Sequence, residues 1–139
     1  MAACVHAISH PHYYSTRIAW SRGFDAPIEL HSDHRAHGMR PDSAVDVRQG
    51  QVLPLWHDLM PVRCGGHFAG GQVLHWASGT EGQPALLTDD IIVAVQDRNY
   101  VSFLYTYPNV IPLPARELCR GVAAVEPYAF EPISGAWWR

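Results

Sequence analysis

Two histidines separated by one residue, His10 and His12, directly follow the apolar segment of residues 4–8. In an extended backbone, side chains two positions apart point to the same side, so both imidazoles can face one point beyond the end of a strand. Pro11 fixes the backbone between them and removes an N–H donor that would otherwise need a partner. Two imidazoles held in this way form half of a transition-metal site. This segment therefore predicts a pair of metal ligands.

Two further candidate ligands follow segments that predict strands. His67 lies between paired glycines, which let the backbone approach closely, and Asp90 follows the apolar run 85–88. Open α/β sheets place their sites at the ends of neighbouring strands. Three neutral imidazoles and one carboxylate suit zinc and are acceptable to iron or manganese. We therefore predict that His10, His12, His67 and Asp90 bind one metal ion. The alternative is a hydrogen-bonded polar cluster that binds none.

The rest of the sequence predicts the elements that position these residues, within a single domain spanning residues 1–139. A strand at 4–8, a helix at 13–23 and a strand at 27–31 predict a parallel pair joined by a crossover helix. The later strands are a hairpin of 44–48 with 52–55, an edge strand at 59–64 that contains Pro61, and a hairpin of 72–77 with 85–88. A helix then begins at Pro114 and carries Leu118, Val122 and Val125 on one stripe. A last strand lies within 130–138. This order indicates the α/β (α+β) class.

Composition excludes several other kinds of chemistry. The formal charge of −3 argues against a nucleic-acid partner, which usually requires a basic excess. All ten basic residues are arginine, which excludes Schiff-base catalysis and a phosphate-loop lysine. No tract is long and apolar enough to cross a bilayer, and the first residues lack the features of a secretory signal. We therefore expect a cytoplasmic protein with no membrane partner.

The order His-x-His, then Gly-His between glycines, then Leu-Leu-Thr-x-Asp resembles the metallo-beta-lactamase-fold superfamily. The amino-acid sequences of three longer segments resemble those of its MBL-fold metallo-hydrolase members: Ile8–Tyr14, Arg63–Phe68 and Tyr105–Pro114. The resemblance implies an αββα sandwich, in which two sheets are flanked by helices and the metals lie at one edge. It also implies that the three histidines bind the first metal and that Asp90 is the aspartate that ligates or bridges the metals.

The sequence departs from the pattern of that superfamily at several positions. The motif reads His-x-His-x-Asp-His, and its Asp and final His fall on Tyr14 and Ser15. The last family histidine falls on Gly135-Ala136, and Asp89 stands where the family usually has glycine. The resemblance therefore implies a mononuclear site, with zinc as the expected metal. Asp89 is either a solvated turn residue or a catalytic base beside Asp90.

A second departure concerns the start of the chain. Family members normally begin with several strands before the His-x-His motif, and only nine residues precede it here. We therefore expect much of the first sheet to be missing from this chain. Such a sheet exposes apolar surface and unpaired edges, which predicts a homodimer.

The function implied by this reading is metal-dependent hydrolysis of a small-molecule substrate. A metal-bound hydroxide would attack an ester, thioester, amide, lactone or phosphoester, with Asp90 and Asp89 as the catalytic carboxylates. Two alternatives stay open. A mononuclear iron centre would make the protein an oxygenase, and a domain that has lost its chemistry would act only in binding or dimerisation.

Overall fold

The computed structural model describes residues 4–38, 40–56, 58–106 and 109–137. Its first sheet is entirely parallel and contains the strands β1 (His6–Ala7), β2 (Ile28–His31) and β3 (Val45–Arg48) in that order. The helix α1 (Arg17–Phe24) connects β1 to β2. The predicted strand–helix–strand unit with a parallel pair is therefore confirmed.

The helix α1 is shorter than the pattern predicts. Residues Pro11–Tyr13 form a 3-10 helix, so the α-helix begins only at Arg17. It ends at Phe24, because the next residue, Asp25, adopts a left-handed φ of 49° that does not continue the helix. Trp20 and Phe24 do not face the sheet: they are 54% and 58% exposed and stack on each other with ring centroids 5.5 Å apart.

A first core lies between α1 and this sheet. Its buried members are Tyr14, Ile18, Ile28 and Leu30, with Ile8 and Val45 packed against them. Every residue of β2 is buried, because β2 is the central strand and both of its faces are covered. The strand ends of this sheet are thereby fixed by apolar packing.

The predicted hairpin of residues 44–48 with 52–55 is wrong. The strand β3 pairs with β2 in parallel register, Ile28 opposite Val45. The segment 51–55 instead runs antiparallel to the next strand, β4 (Leu59–Arg63). The backbone N–H of Leu53 donates a hydrogen bond to the carbonyl of Pro61 in β4, at 3.1 Å. Turn residues Gln49-Gly50 indicated a chain reversal but carried no information about which strand receives the segment.

The second sheet has the strand order β11, β6, β5, β4. Its strands are β4, β5 (Gln72–Thr80), β6 (Gln83–Asp89) and β11 (Ile133–Gly135). The hairpin of β5 with β6 is antiparallel, as predicted, and β11 joins β6 in parallel. The strand β4 lies at the edge of the sheet, which agrees with the position of Pro61 within it.

A second core lies between this sheet and the helix α2 (Ala115–Val125). Its buried members are Val62, Cys64, Val73, Leu86, Ile91, Ile92 and Val125. The helix begins after Pro114, as predicted, but only part of its stripe is covered, because Val122 is 43% exposed. Short strands complete the architecture: β7 (Val93–Ala94) pairs with β8 (Val101–Ser102), and β9 (Leu104–Thr106) pairs with β10 (Ile111–Pro112).

The two sheets face each other, so that the layers follow the order helix, sheet, sheet, helix. A cavity of about 180 Å³ lies between them, lined by Ala7 and Ile8 on one side and by Pro61, Val73 and Leu74 on the other. Backbone N–H of Gln72 donates to the carbonyl of Ser9 at 3.0 Å and ties the sheets together near one edge. In the described part of the chain, neither helix has the length and apolarity that a membrane crossing requires.

Candidate metal centre

The first two predicted ligands lie immediately beyond β1. His10 is the residue before the 3-10 helix Pro11–Tyr13, and His12 is inside that helix. The backbone is therefore extended at His10 only, where φ is −165° and ψ is 169°. The two rings nevertheless converge, with Nε2 of His10 3.0 Å from Nδ1 of His12. The tight turn brings them together, whereas the prediction relied on an extended backbone through both residues.

His67 is held by a loop with a narrow neck. The backbone N–H groups of Cys64 and Gly65 both donate to the carbonyl of Gly71, at 2.9 and 3.0 Å, and close a loop of residues 65–71. Gly65 and Gly66 adopt φ values of 76° and 108°, which favour glycine. At Gly71 a Cβ atom would collide with the carbonyl oxygen of Gly65. The paired glycines are thus required by the shape of the loop.

Asp90 lies just after β6 and its carboxylate reaches all three histidines. Its Oδ1 is 3.2 Å from Nε2 of His10 and 3.4 Å from Nε2 of His67. Its Oδ2 is 3.7 Å from Nδ1 of His12. The four predicted ligands therefore come from three separate elements and meet at one edge of the two sheets.

The donor set fits a metal ion. One ligand atom from each of the four residues lies within 4.8 Å of every other. Oδ1 of Asp90 and both ring nitrogens of His67 are buried and have no hydrogen-bond partner among the described residues. Buried polar atoms without partners are costly, and a bound cation would satisfy them. Three imidazoles and one carboxylate are also the ligand types that zinc prefers.

Access to this centre is asymmetric. The side chain of His10 is fully buried and that of Asp90 is 11% exposed, whereas that of His12 is 49% exposed. Tyr13, next to His12, is also half-exposed. The open side is the one from which a small molecule would approach.

The charge around His10 favours a cation. Burial works against the protonated ring, but the neighbouring carboxylates of Asp89 and Asp90 outweigh it and raise the pKa of His10 to about 9. Burial lowers the pKa of His67, and the neighbouring imidazoles add to this effect against the attraction of Asp90. The centre therefore holds a positive charge at its carboxylate side and a neutral imidazole on the loop.

Asp89 does not point into solvent as a turn residue would. Its backbone is left-handed, with φ of 53°, and its side chain is 20% exposed. Its carboxylate accepts hydrogen bonds from Ser9 Oγ at 2.5 Å and from the Tyr13 hydroxyl at 3.1 Å. Burial opposes ionisation, but the contacts to His10, Ser9 and Tyr13 prevail and lower the pKa of Asp89. Ser9 and Tyr13 were not identified from the sequence, because they lie 80 and 76 residues from Asp89.

The positions that depart from the superfamily motif supply no further ligand. Tyr14 is buried in the first core, and its hydroxyl lies 2.8 Å from Nδ1 of His34. Ser15 is exposed. Ala136, at the place of the last family histidine, donates its backbone N–H to the carbonyl of Asp89 at 3.0 Å. The following Trp137 is 71% exposed and does not cover the core.

Comparison with known proteins shows the fold. No protein-family model matches this chain. The N-acyl homoserine lactone hydrolase solved with N-hexanoyl-L-homoserine at its catalytic metal center has a TM-score of 0.65 and 18% identity, covering 94% of this chain and 54% of that one. The class B3 di-zinc metallo-beta-lactamase LRA-12, from an Alaskan soil metagenome, has a TM-score of 0.57 and 10% identity over 94% of this chain and 56% of that one. The chain therefore has the metallo-beta-lactamase fold.

Two further matches show how much of each similar protein this chain covers. The FEZ-1 metallo-beta-lactamase of Legionella gormanii has a TM-score of 0.56 and 16% identity, covering 96% of this chain and 57% of that enzyme. The uncharacterized protein YmaE of Bacillus subtilis (strain 168) is 47% identical over 131 residues, which are 94% of this chain and 48% of that protein. The chain spans about half the length of this curated relative. The structural neighbours are metal-dependent hydrolases by name.

Proposed function

We propose that this chain binds one metal ion, with zinc as the first choice, and hydrolyses a small molecule there. The observation that carries the proposal is the meeting of His10, His12, His67 and Asp90, with one donor atom of each within 4.8 Å of the others. When bound, such an ion lowers the pKa of a water molecule and polarises the oxygen of the bond to be cleaved. The candidate bonds are those of an ester, thioester, amide, lactone or phosphoester.

The residues around the proposed ion have different roles. Asp90 would hold the cation with one oxygen, and its second oxygen, beside His12, would accept a hydrogen bond from the attacking water. His67 and His10 are fixed by the loop and by β1, so that the donor atoms need little rearrangement. The exposed side of His12 and Tyr13 admits the substrate. We retain Asp89 as a carboxylate of the site, although its contacts to Ser9 and Tyr13 leave it less free to act as a base.

One metal per chain is the stoichiometry that we propose. Tyr14, Ser15 and Ala136 stand where the superfamily motif has further ligands, and none of them offers a side-chain donor to the cluster. The structural neighbour LRA-12 is a di-zinc enzyme by its name. A difference in metal count between that enzyme and this chain is therefore part of the proposal.

The test is an elemental analysis of the purified protein, followed by assays on a panel of esters, thioesters and lactones. We expect one equivalent of zinc and hydrolysis of at least one class. His67→Ala should lose both the metal and the turnover, while the exposed control His37→Ala should keep both. Two equivalents of metal would contradict the mononuclear site, and stoichiometric iron after anaerobic purification would favour oxygenase chemistry. A folded protein that takes up no metal would leave only a binding role.

A homodimer in solution is a further part of the proposal. Several large apolar side chains are exposed on the surface of the described residues: Trp20, Phe24, Tyr100, Val101 and Ile111. Their exposure is more readily accommodated if a second copy covers some of them. A sedimentation experiment that finds a monodisperse monomer would contradict this expectation.

A further inference from the structure

The carboxylate of Asp89 lies behind a predicted ligand, next to the ring nitrogen that points away from the cluster. Its Oδ2 is 3.3 Å from Nδ1 of His10, the ring nitrogen opposite the one that faces the cluster. Nε2 of the same ring lies 3.0 Å from Nδ1 of His12 and 3.2 Å from Oδ1 of Asp90. The two nitrogens of His10 therefore have separate surroundings, one within the cluster and one behind it.

The hydrogen bonds behind His10 specify which nitrogen carries the proton. The Ser9 hydroxyl has one proton and donates it to Oδ2 of Asp89 at 2.5 Å. Its oxygen, 2.9 Å from Nδ1 of His10, is then an acceptor, and the Asp89 carboxylate is an acceptor as well. Nδ1 lies between two acceptors and must be the donor. When the proton on Nε2 is displaced, the neutral ring presents the lone pair of Nε2 to the cluster.

Two further features hold the Asp89 carboxylate in place. The Tyr13 hydroxyl donates to its other oxygen, Oδ1, at 3.1 Å. Its backbone adopts a left-handed φ of 53°, a conformation that aspartate tolerates less well than glycine does. An unfavourable backbone at a residue with three side-chain contacts indicates that the carboxylate is retained for those contacts.

We propose that Asp89 is the positioning residue of His10: it fixes the Nδ1–H tautomer and the ring orientation, so that Nε2 is held ready for the metal. Ser9 and Tyr13 hold the carboxylate in turn. The inference rests on the proposed metal site and adds a residue to it. Carboxylates behind histidine ligands commonly act in this way, and their removal typically weakens metal binding about 10- to 100-fold.

The experiment measures zinc affinity by competition with a chromophoric chelator in the wild type, Asp89→Gly and Asp89→Asn. Asp89→Gly removes the acceptor and suits the left-handed backbone, so the variant is expected to fold. We expect its zinc affinity to fall by about 10- to 100-fold. Asp89→Asn keeps a neutral acceptor and should recover part of the loss. Asp25→Gly is the matched control, because Asp25 is also an aspartate with positive φ, 49°, and contacts none of the four ligands.

A second measurement reads the tautomer itself. Long-range ¹H–¹⁵N spectra of the zinc-loaded protein should show a protonated Nδ1 on His10 in the wild type and a broadened or exchanging Nδ1–H in Asp89→Gly. A merely structural role for Asp89 would change thermal unfolding without changing this resonance. Equal zinc affinity in the wild type and Asp89→Gly would overturn the positioning role while leaving the proposed function intact. A wild-type protein that binds no zinc would overturn both.

Discussion

Two histidines of this protein, His10 and His34, are both fully buried, yet their surroundings give them opposite properties. His10 lies between the carboxylates of Asp89 and Asp90, and its pKa is raised to about 9. At His34, burial is the largest effect, other histidines add to it, and the pKa is lowered to about 4. Burial therefore disfavours the charged form of a histidine, whereas carboxylates from a different part of the chain favour it.

The contacts of His34 agree with this distinction. Its Nδ1 is bonded to the Tyr14 hydroxyl, and its ring lies against Gly70, where a Cβ atom would be 2.7 Å from Cδ2. Its Nε2 has no hydrogen-bond partner among the described residues. His34 thus fills space between the first core and the His67 loop, whereas His10 meets ligands from that loop and from the end of β6.

The largest expected effect comes from removing each ring in turn. His10→Ala should lower zinc affinity by more than the about 10- to 100-fold typical for loss of an outer partner, because a ligand itself is lost. His34→Ala should retain stoichiometric zinc but lose about 2 to 5 kcal/mol of unfolding free energy, because it leaves a cavity. Chelator competition and urea unfolding measure the two quantities. Equal loss of zinc in both variants would contradict the conclusion that only His10 of this pair is a ligand.

The hydroxyl of Tyr14 offers a sharper test of the inert site. Tyr14→Phe leaves Nδ1 of the buried His34 without its partner, which should cost about 1 to 3 kcal/mol of unfolding free energy. Zinc affinity should be unchanged, since Tyr14 does not contact the ligand cluster. Urea unfolding with and without zinc checks both expectations, and a loss of metal in this variant would show that the two regions are coupled.

The pH dependence of stability should carry the signature of His34. Its pKa in the folded state, about 4, is lower than the ordinary value of 6.5, so the unfolded chain binds the proton more tightly. The stabilisation is complete above pH 6.5 and is lost as the pH falls toward 4. Between pH 7 and pH 5, the loss should amount to about 2 kcal/mol.

His34→Leu cannot titrate at this position and provides the comparison. The zinc-free wild type should lose about 2 kcal/mol more than this variant over the same pH interval. Urea unfolding at several pH values gives the difference directly. Parallel curves for the two proteins would mean that His34 is not held neutral by burial.

The smallest effect on stability and zinc affinity is expected at an exposed histidine that lies outside the ligand cluster. His37 is exposed, and its ring packs in a T-shaped arrangement with that of Phe68, with centroids 5.1 Å apart. His37→Ala should change the unfolding free energy by no more than about 0.5 kcal/mol and leave zinc affinity as it is. A larger change in either quantity would mean that the surface histidines also take part in the centre.

The sequence predicts best what is local. The β1–α1–β2 unit and the β5–β6 hairpin are confirmed because each is specified by periodicity and by its own turn residues. The predicted partner of β3 was wrong because a turn residue such as Gly50 indicates where the chain reverses but not which strand pairs with the segment that follows. The exposure of Trp20 and Phe24 could not be predicted, because helical spacing does not reveal how wide the covered face is.

The candidate site shows the same division. The four ligands could be chosen from residue types at predicted strand ends, and the structure brings them together. The contacts of Asp89 to Ser9 and Tyr13 join residues far apart in sequence and have no local pattern. His34 stands in the polar stretch of residues 31–40, which gives no sign of burial, and its burial depends on how the loop of residues 65–71 lies over it.

The narrow neck of the His67 loop has a consequence for mutational surveys. Gly71 has no side chain that could reach an ion, yet a single methyl group there would push against the Gly65 carbonyl and open the loop at its base. The imidazole four positions earlier would then leave its place. A screen that scores activity should thus rank position 71 with the histidines, whereas a screen of residues that touch the bound ion would overlook it.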